Sequence, residues 1–156
     1  MTDVTRFPSF EEKTAQGMIR VNNEATSGVP TYLGVRFLEF GPGRLLAEVA
    51  VRDELLTPFG TLHGGAMAAL VDHVLGCVLY PLMTRGQWAA TTEFKLNYLA
   101  PVKTGTLRAE STVVSLGRRS AVVRVDVENE GRAVCTALGT LMISDPPSAP
   151  RPPDGR

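Results

Sequence analysis

One long apolar stretch, residues 66–82, limits how the rest of this chain can fold. It is shorter than the about 20 residues that a helix needs to span a bilayer. Asp72 and His73 lie near its middle, where a charge would be costly in lipid. We therefore expect a buried helix, and a helix that is apolar nearly all round must be covered on several sides. The apolar residues spread around this helix are Met67, Leu70, Val71, Val74, Leu75, Val78 and Leu79.

The segments around this stretch alternate between apolar and polar residues, as β-strands do, and turn residues separate them. In the strand after the apolar stretch, the alternation places Thr91 and Phe94 on opposite faces. Consecutive short strands indicate an antiparallel sheet, and only that sheet is available to cover the helix. The fold class is therefore α+β, an antiparallel sheet wrapped around one long buried helix. The predicted strands are residues 32–40, 44–52, 88–99, 106–116, 121–127 and 133–143.

The two ends of the chain differ in composition from its middle. Residues 1–27 form an N-terminal segment with an amphipathic helix over residues 10–23, for which Ser9 and Glu12 predict a capping box. Residues 28–144 form the single domain. Residues 145–156 are rich in proline, which cannot build a core, so we expect a flexible tail.

Charge balance and cysteine content exclude several functions. Lysine plus arginine and aspartate plus glutamate number 16 each, so no overall field favours nucleic acid or an anionic membrane. The first residues carry charges and no apolar run, so no signal peptide is expected. Cys77 and Cys135 are far apart in apolar segments, which predicts reduced core cysteines in a cytoplasmic protein. The two histidines and scattered acids lack metal-ligand spacing, so no metal is predicted.

Two features of the predicted helix can carry chemistry. Gly64 and Gly65 begin it, and the first amides of a helix are unpaired donors that can polarise a carbonyl and hold an oxyanion. The alternative is that the glycines only permit a tight turn. Asp72 has apolar neighbours in sequence, so we expect a buried carboxylate, which indicates a nucleophile or a general base for water. The alternative is a structural carboxylate paired with an arginine or a hydroxyl.

The spacing of these two features has a geometric consequence. Gly64 and Asp72 are eight residues apart, which is about 12 Å along a helix. A carboxylate cannot reach that far back to a carbonyl held at the N-terminus of its own helix. If both residues serve one reaction, Asp72 must meet Gly64 of another subunit, so we expect a homodimer or a larger oligomer.

The segment Leu-His-Gly-Gly at residues 62–65, with Asp72 nine positions after the histidine, resembles the hot-dog thioesterases of the phenylacetate-degradation and 4-hydroxybenzoyl-CoA type. The resemblance covers residues 32–143 and implies a hot-dog fold that hydrolyses an acyl-CoA or aryl-CoA thioester without a cofactor. A homodimer is expected, with a dimer of dimers as a further possibility. The other matching motifs are Lys-Leu-Asn-Tyr-Leu-Ala-Pro-Val at residues 95–102, Gly105, Gly117-Arg118 and Gly139-Thr140.

The same resemblance assigns roles to individual positions. It places the oxyanion amide at Gly64, the carboxylate at Asp72 and the histidine that shapes the start of the helix at His63. Where family members often have Asn or Gln, six positions before the histidine, this chain departs from the pattern with Thr57. Thr91 falls where related enzymes of the human type carry a serine that positions water.

Five positions are predicted to bind substrate. Arg118 and Arg119 lie in a turn, where they can clamp the phosphates of coenzyme A, the alternative being solvated charges on an exposed hairpin. Gly65 allows substrate to approach the backbone closely. Phe59 is a candidate for the acyl pocket, and Thr92 is the neighbour of the predicted water-binding threonine.

His73 points about 100° away from Asp72 around the helix, so we interpret it as a core or interface histidine rather than a general base. Two other functions stay open: a hydratase or dehydratase of acyl thioesters, and a non-catalytic acyl-CoA-binding module. The sequence leaves open the acyl chain length, coenzyme A against a carrier protein, and nucleophilic against general-base catalysis by the carboxylate.

Overall fold

The computed structural model describes Phe7 and residues 9–146. Within that range the α-helices are α1 (Glu12–Glu24), α2 (Val29–Leu33) and α3 (Gly64–Cys77). The strands are β1 (Arg36–Gly41), β2 (Arg44–Ala50), β3 (Trp88–Tyr98), β4 (Thr106–Leu116), β5 (Ser120–Asn129) and β6 (Arg132–Ser144). The first six residues and the predicted tail from residue 147 onward lie outside the described part of the chain.

The six strands form one antiparallel sheet in the order β1-β2-β4-β5-β6-β3. Strands β4, β5 and β6 follow one another as hairpins, whereas β3 pairs with β6 at the far end, so β1 and β3 are the edges. Helix α3 contacts β2, β3, β4, β5 and β6. The predicted architecture, an antiparallel sheet curved around a central helix, is confirmed.

The core lies between α3 and the inner face of the sheet. The Ser111 hydroxyl of β4 donates to the Val74 carbonyl of α3 at 3.0 Å, so the one buried hydroxyl in this layer is paired. By length and composition the stretch Gly64–Leu82 could cross a membrane, but packing against the sheet accounts for its apolar character. The helix residues with at most 1% exposure are Leu70, Val71, Val74 and Leu75.

A glycine on β6 lets α3 approach the sheet closely. A Cβ atom added to Gly139 would lie 2.8 Å from Phe94 Cβ and 3.1 Å from Leu75 Cδ1. The first distance is shorter than real Cβ contacts and the second is tight, so a side chain here would force the helix and the β3–β6 pair to shift apart. The position matters for the site because β3 forms one wall of it.

The predicted capping box of α1 is wrong. Glu11 caps the helix, and its carboxylate accepts from the Thr14 N–H at 3.0 Å. The Ser9 hydroxyl donates instead to the Leu82 carbonyl at 3.3 Å. Because Ser9 is used to tie the N-terminal segment to the end of the apolar stretch, the helix begins two residues later than predicted, at Glu12.

The first strand also begins later than predicted. Residues 29–33 form α2, because Pro30 lies in its first turn, where the missing N–H costs nothing. Gly34 ends α2 in the left-handed region, with φ of 76°. Strand β1 therefore starts at Arg36 rather than at residue 32. The later strands match their predicted bounds to within a residue or two at either end.

A β-bulge in β3 changes which residues face the helix. The register shifts around Thr92, so that Thr91 pairs with Leu141 and Phe94 pairs with Gly139. Both partners face α3, since Leu141 is fully buried and Gly139 contacts the helix. Thr91 and Phe94 therefore share the inner face, and the prediction of opposite faces is wrong because one extra residue resets the alternation.

Candidate active site

Hydrogen bonds hold the segment that leads into α3. His63 is the N-cap residue, and its Nδ1 accepts from the Gly65 N–H at 2.8 Å, so Nδ1 carries no proton. The His63 N–H donates to the Leu55 carbonyl at 2.8 Å, and the Leu62 N–H donates to the Val102 carbonyl at 2.7 Å. The first turn of the helix is thus fixed to the segments around it, before α3 and after β3.

Gly64, the first residue of α3, offers an unpaired donor. The Gly65 N–H is bonded to His63 Nδ1, and the N–H groups of Ala66 and Met67 donate to the His63 carbonyl at 2.9 and 3.2 Å. Among the described residues the Gly64 N–H has no acceptor. A free amide in the positive potential of a helix N-terminus can stabilise negative charge developing on a carbonyl oxygen.

Gly64 lines a cavity of about 390 Å³ that is otherwise mainly apolar. Tyr98, the last residue of β3, lies beside it and donates its hydroxyl to the Gly64 carbonyl at 2.8 Å. Sequence reasoning missed this residue, because no local pattern reveals that the end of β3 meets the start of α3. The remaining lining residues are Thr61, Leu62, Met67, Leu99, Ala100, Pro101, Val102 and Val134.

Asp72 lies on the side of α3 that the sheet leaves open. Its side chain is exposed and makes no hydrogen bond or ion pair within the described part of the chain. The expectation of a buried carboxylate is therefore wrong for one subunit, because Val71 and Leu75 take the core positions and Asp72 faces a groove of about 790 Å³ beside β3. The other groove residues are Ala68, Ala69, His73, Gly76, Cys77, Tyr80, Ala89, Thr91, Thr92, Glu93 and Phe94.

Of the predicted site residues, the structure brings Asp72, Thr91 and Thr92 together in this groove. Thr91 is turned toward α3 by the bulge, and its hydroxyl has no hydrogen bond among residues 9–146. The Thr92 hydroxyl donates to the Thr140 carbonyl at 2.9 Å and so stabilises the β-bulge in β3. Gly64 lines the other cavity, so one subunit does not bring its helix-terminal amide and its carboxylate to the same place.

Thr57 and Phe59 lie in the loop before α3, outside both cavities. The Thr57 hydroxyl accepts from the Phe59 N–H at 3.3 Å and lies 3.2 Å from the Thr61 hydroxyl, so it stabilises a tight turn. Phe59 is 90% exposed at the tip of that turn. An exposed phenylalanine next to the start of the helix suits contact with a second molecule better than a role inside one subunit.

Arg118 and Arg119 lie in the turn between β4 and β5, and both are exposed. Their guanidinium groups make no ion pair in the described part of the chain. The pairing of Ser120 with Met142, and of Met142 with Ala90, places this turn at the same end of the sheet as the Asp72 groove. One strand, β6, lies between Ser120 of β5 and Ala90 of β3, which are therefore about 10 Å apart.

His73 is held by its neighbours. Its Nε2 lies 2.8 Å from Asn22 Oδ1 on α1, and its ring stacks on Phe37 at 5.3 Å. Burial lowers the pKa of His73 below its usual 6.5, and the nearby Asp72 charge partly opposes this. The interpretation of His73 as a satisfied core histidine agrees with these contacts.

The remaining reactive side chains do not form a second centre. Burial raises the pKa of Cys77 to about 12 and that of Cys135 to about 11, so neither thiol is ionised at neutral pH. In the part of the chain that the structure covers, no three His, Cys, Asp or Glu side chains lie close enough together to hold a metal ion.

Comparison with known proteins identifies the family. The thioesterase superfamily matches residues 59–136, a range that contains α3, β3, β4 and β5. The proofreading thioesterase EntH of Klebsiella pneumoniae is 36% identical over 79% of this chain and 91% of its own length.

Solved structures share the fold. The thioesterase HI1161 of Haemophilus influenzae superimposes with a TM-score of 0.78 at 25% identity, covering 84% of this chain and 92% of that one. A phenylacetic acid degradation-related protein of Ralstonia eutropha gives a TM-score of 0.74 at 27% identity, covering 81% and 97% of the two chains. The chain thus belongs to the thioesterase superfamily and has the hot-dog fold, as the resemblance implied, and it is a thioester hydrolase.

Proposed function

We propose that this chain hydrolyses acyl-CoA or aryl-CoA thioesters in a homodimer whose two active sites are each built from both subunits. In each site the Gly64 N–H of one subunit polarises the thioester carbonyl, and Asp72 of the other subunit attacks that carbon or activates water to do so. The chemistry needs no cofactor, because a backbone amide and a carboxylate supply it.

The observation that carries this proposal is the position of Gly64 and Asp72 on one helix. They are separated by about 12 Å of helix, and they line different cavities of the subunit. The Gly64 N–H is unpaired and the Asp72 carboxylate is exposed without a partner in the described residues. Two groups that are each suited to the reaction, but separated in one copy, can meet across a two-fold axis.

Strand β3 offers the surface for such a dimer. It is an edge strand of 11 residues, so one row of its backbone N–H and C=O groups lacks a strand partner within the described sheet. An edge of this length favours pairing with another chain. Pairing β3 with its symmetry mate would extend the sheet and place the Asp72 groove at the subunit boundary. Two such dimers could associate further into a tetramer.

The proposed reaction is balanced by water alone. Oxygen from water, or first from the Asp72 carboxylate, bonds to the thioester carbon while negative charge collects on the carbonyl oxygen at Gly64. The carbon–sulfur bond then breaks, and the thiolate of coenzyme A leaves and takes up the proton that the water releases. Where Asp72 attacks first, the carboxylate is regenerated when water hydrolyses the anhydride that it has formed. Thr91 lies in the groove with Asp72, where its free hydroxyl suits it to orient that water.

The first experiment is a panel of aromatic, short-chain and long-chain acyl-CoAs assayed with wild type and with Asp72→Asn. We expect turnover on at least one class, and a loss of at least about 100-fold in kcat for the variant. Size-exclusion chromatography of both proteins checks that the oligomer survives. Equal rates for the two proteins would remove Asp72 from the mechanism, and hydrolysis of a carrier-protein thioester alone would reject coenzyme A as the leaving group.

A further inference from the structure

We infer that Tyr98 is a positioning residue for the carbonyl-binding amide: it tethers the start of α3 so that the Gly64 N–H stays aimed into the cavity. The inference rests on the proposed role of Gly64. Tyr98 acts through the backbone of that residue, and nothing in the chemistry requires its hydroxyl to touch the reacting atoms.

The peptide unit between Gly64 and Gly65 is held at both ends. Its carbonyl accepts from the Tyr98 hydroxyl at 2.8 Å, and its N–H donates to His63 Nδ1 at 2.8 Å. Two consecutive glycines at a helix start have the widest backbone freedom of any pair, and helix ends fray. Fixing this peptide unit from both sides restricts rotation at Gly64, and therefore the direction of the preceding N–H.

That preceding N–H is the one donor left in the first turn. The amides of Gly65, Ala66 and Met67 all have acceptors, whereas the Gly64 N–H has none among the residues that the structure describes. A helix start in which every other amide is paired directs a ligand oxygen to a single atom. The direction of this N–H bond is important, because its effect on the transition state depends on a short distance to the carbonyl oxygen and good alignment with it.

Tyr98 is suited to hold the helix because its own backbone is fixed in the sheet. It ends β3 opposite Cys135 of β6, in a ladder that runs the length of the strand. A Cβ atom on Gly64 would lie 2.9 Å from the Tyr98 hydroxyl oxygen and 3.1 Å from Cζ. The ring thus packs directly on the glycine, and a side chain at position 64 would displace the Tyr98 hydroxyl from its present position.

The kinetic test is Tyr98→Phe, which keeps the ring and removes the hydroxyl. We expect kcat to fall by about 10-fold with KM little changed, since a misaligned donor weakens the transition state more than substrate binding. Tyr32→Phe is the matched control, because Tyr32 is an equally exposed tyrosine on α2, away from both cavities. Its kcat should match wild type. An unchanged kcat for Tyr98→Phe would overturn the inference.

A spectroscopic test separates this inference from the proposed function. The acyl-CoA that wild type hydrolyses fastest is prepared with an isotope-labelled carbonyl and bound to Asp72→Asn, and the carbonyl stretch is measured by infrared difference spectroscopy. We expect a shift to lower frequency that is smaller or broader in Asp72→Asn/Tyr98→Phe. The same shift in both proteins would reject the role of Tyr98 and keep that of Gly64. No shift in Asp72→Asn would reject both.

Discussion

His73 neighbours the proposed catalytic carboxylate in sequence, yet its contacts tie three elements together. Its Nε2 faces Asn22 Oδ1, while Asn22 Nδ2 donates to the Val35 carbonyl at 2.9 Å. That second bond fixes which way the amide points, so Nε2 of His73 must be the donor. The histidine therefore links α3 to α1 and to the segment before β1.

This arrangement predicts a pH dependence of stability. The pKa of His73 is lowered in the folded protein by burial, whereas the unfolded chain has the ordinary value of 6.5. As the pH falls through 6.5 the unfolded state takes up a proton that the folded state does not, so stability is present above 6.5 and is lost below it.

We expect the thermal midpoint of wild type to fall more than that of His73→Gln between about pH 8 and about pH 5.5. Glutamine can still donate to Asn22 Oδ1 but does not titrate. Differential scanning fluorimetry of both proteins across this range makes the comparison. Parallel curves would show that other groups cause any acid sensitivity.

Single residues were predictable from sequence to different degrees. Sequence alone proposes Gly64 and Asp72 as site residues, because helix-terminal amides and carboxylates in apolar runs are chemically unusual. The exposure of Asp72 could not be predicted, because hydrophobic neighbours in sequence do not reveal which side of a helix a sheet will cover. Tyr98 gave no signal, because its partner is a backbone carbonyl 34 residues earlier in the chain.

At the scale of elements, the β4–β5 turn is where we expect the coenzyme A of the proposed substrate to bind. It presents Arg118 and Arg119, which form no ion pair with any described residue, at the sheet end that holds the Asp72 groove. Free guanidinium groups can bind phosphates bidentately, which makes them suitable for the nucleotide end of the substrate.

We expect Arg118→Ala/Arg119→Ala to raise KM for an acyl-CoA by about 10-fold, as the loss of a charge-assisted contact does. KM for the same acyl group on pantetheine, which lacks the nucleotide phosphates, should stay unchanged. Arg36→Ala on the opposite edge strand serves as the control. A rise for both substrates would instead indicate that the turn supports the fold.

Helices and strands were predicted well where apolar and polar residues alternate regularly. They were predicted poorly where one side chain determines a helix cap or one extra residue forms a bulge. The bounds of β4 were correct because small or apolar residues occupy positions 107, 109, 111 and 113, one in every two, up to its own bulge near the end. The bulge at Thr92 reversed the faces of β3, and Glu11 rather than Ser9 capped α1. Each of these outcomes depends on tertiary contacts that the hydrophobic pattern of the sequence does not reveal.

At the scale of the whole molecule, the shared site predicts that two inactive variants restore each other. Asp72→Asn keeps the amide donor, and Gly64→Pro keeps the carboxylate. Proline suits the first position of a helix and removes the N–H there. Gly64→Ala is its control, because it introduces the same Cβ beside Tyr98 but keeps the N–H.

Subunits of the two inactive variants are exchanged in equal amounts and assayed. Half of the random dimers are mixed, and each has one intact site, so about a quarter of wild-type activity should return. Gly64→Ala alone should keep far more activity than Gly64→Pro. If the mixture stays as inactive as its components, each site is contained in one subunit.

The strand order also sets when these parts come together. Within the described sheet of one subunit, strand β3 pairs with β6 alone, the last of the described strands. During synthesis, α3 and β3 emerge well before the segment that fixes them, and contacts between such distant segments form late. A ribosome must therefore complete Arg132–Ser144 before Thr91 and Tyr98 can take their places. Any nascent chain stopped short of β6 has every proposed catalytic residue and no site.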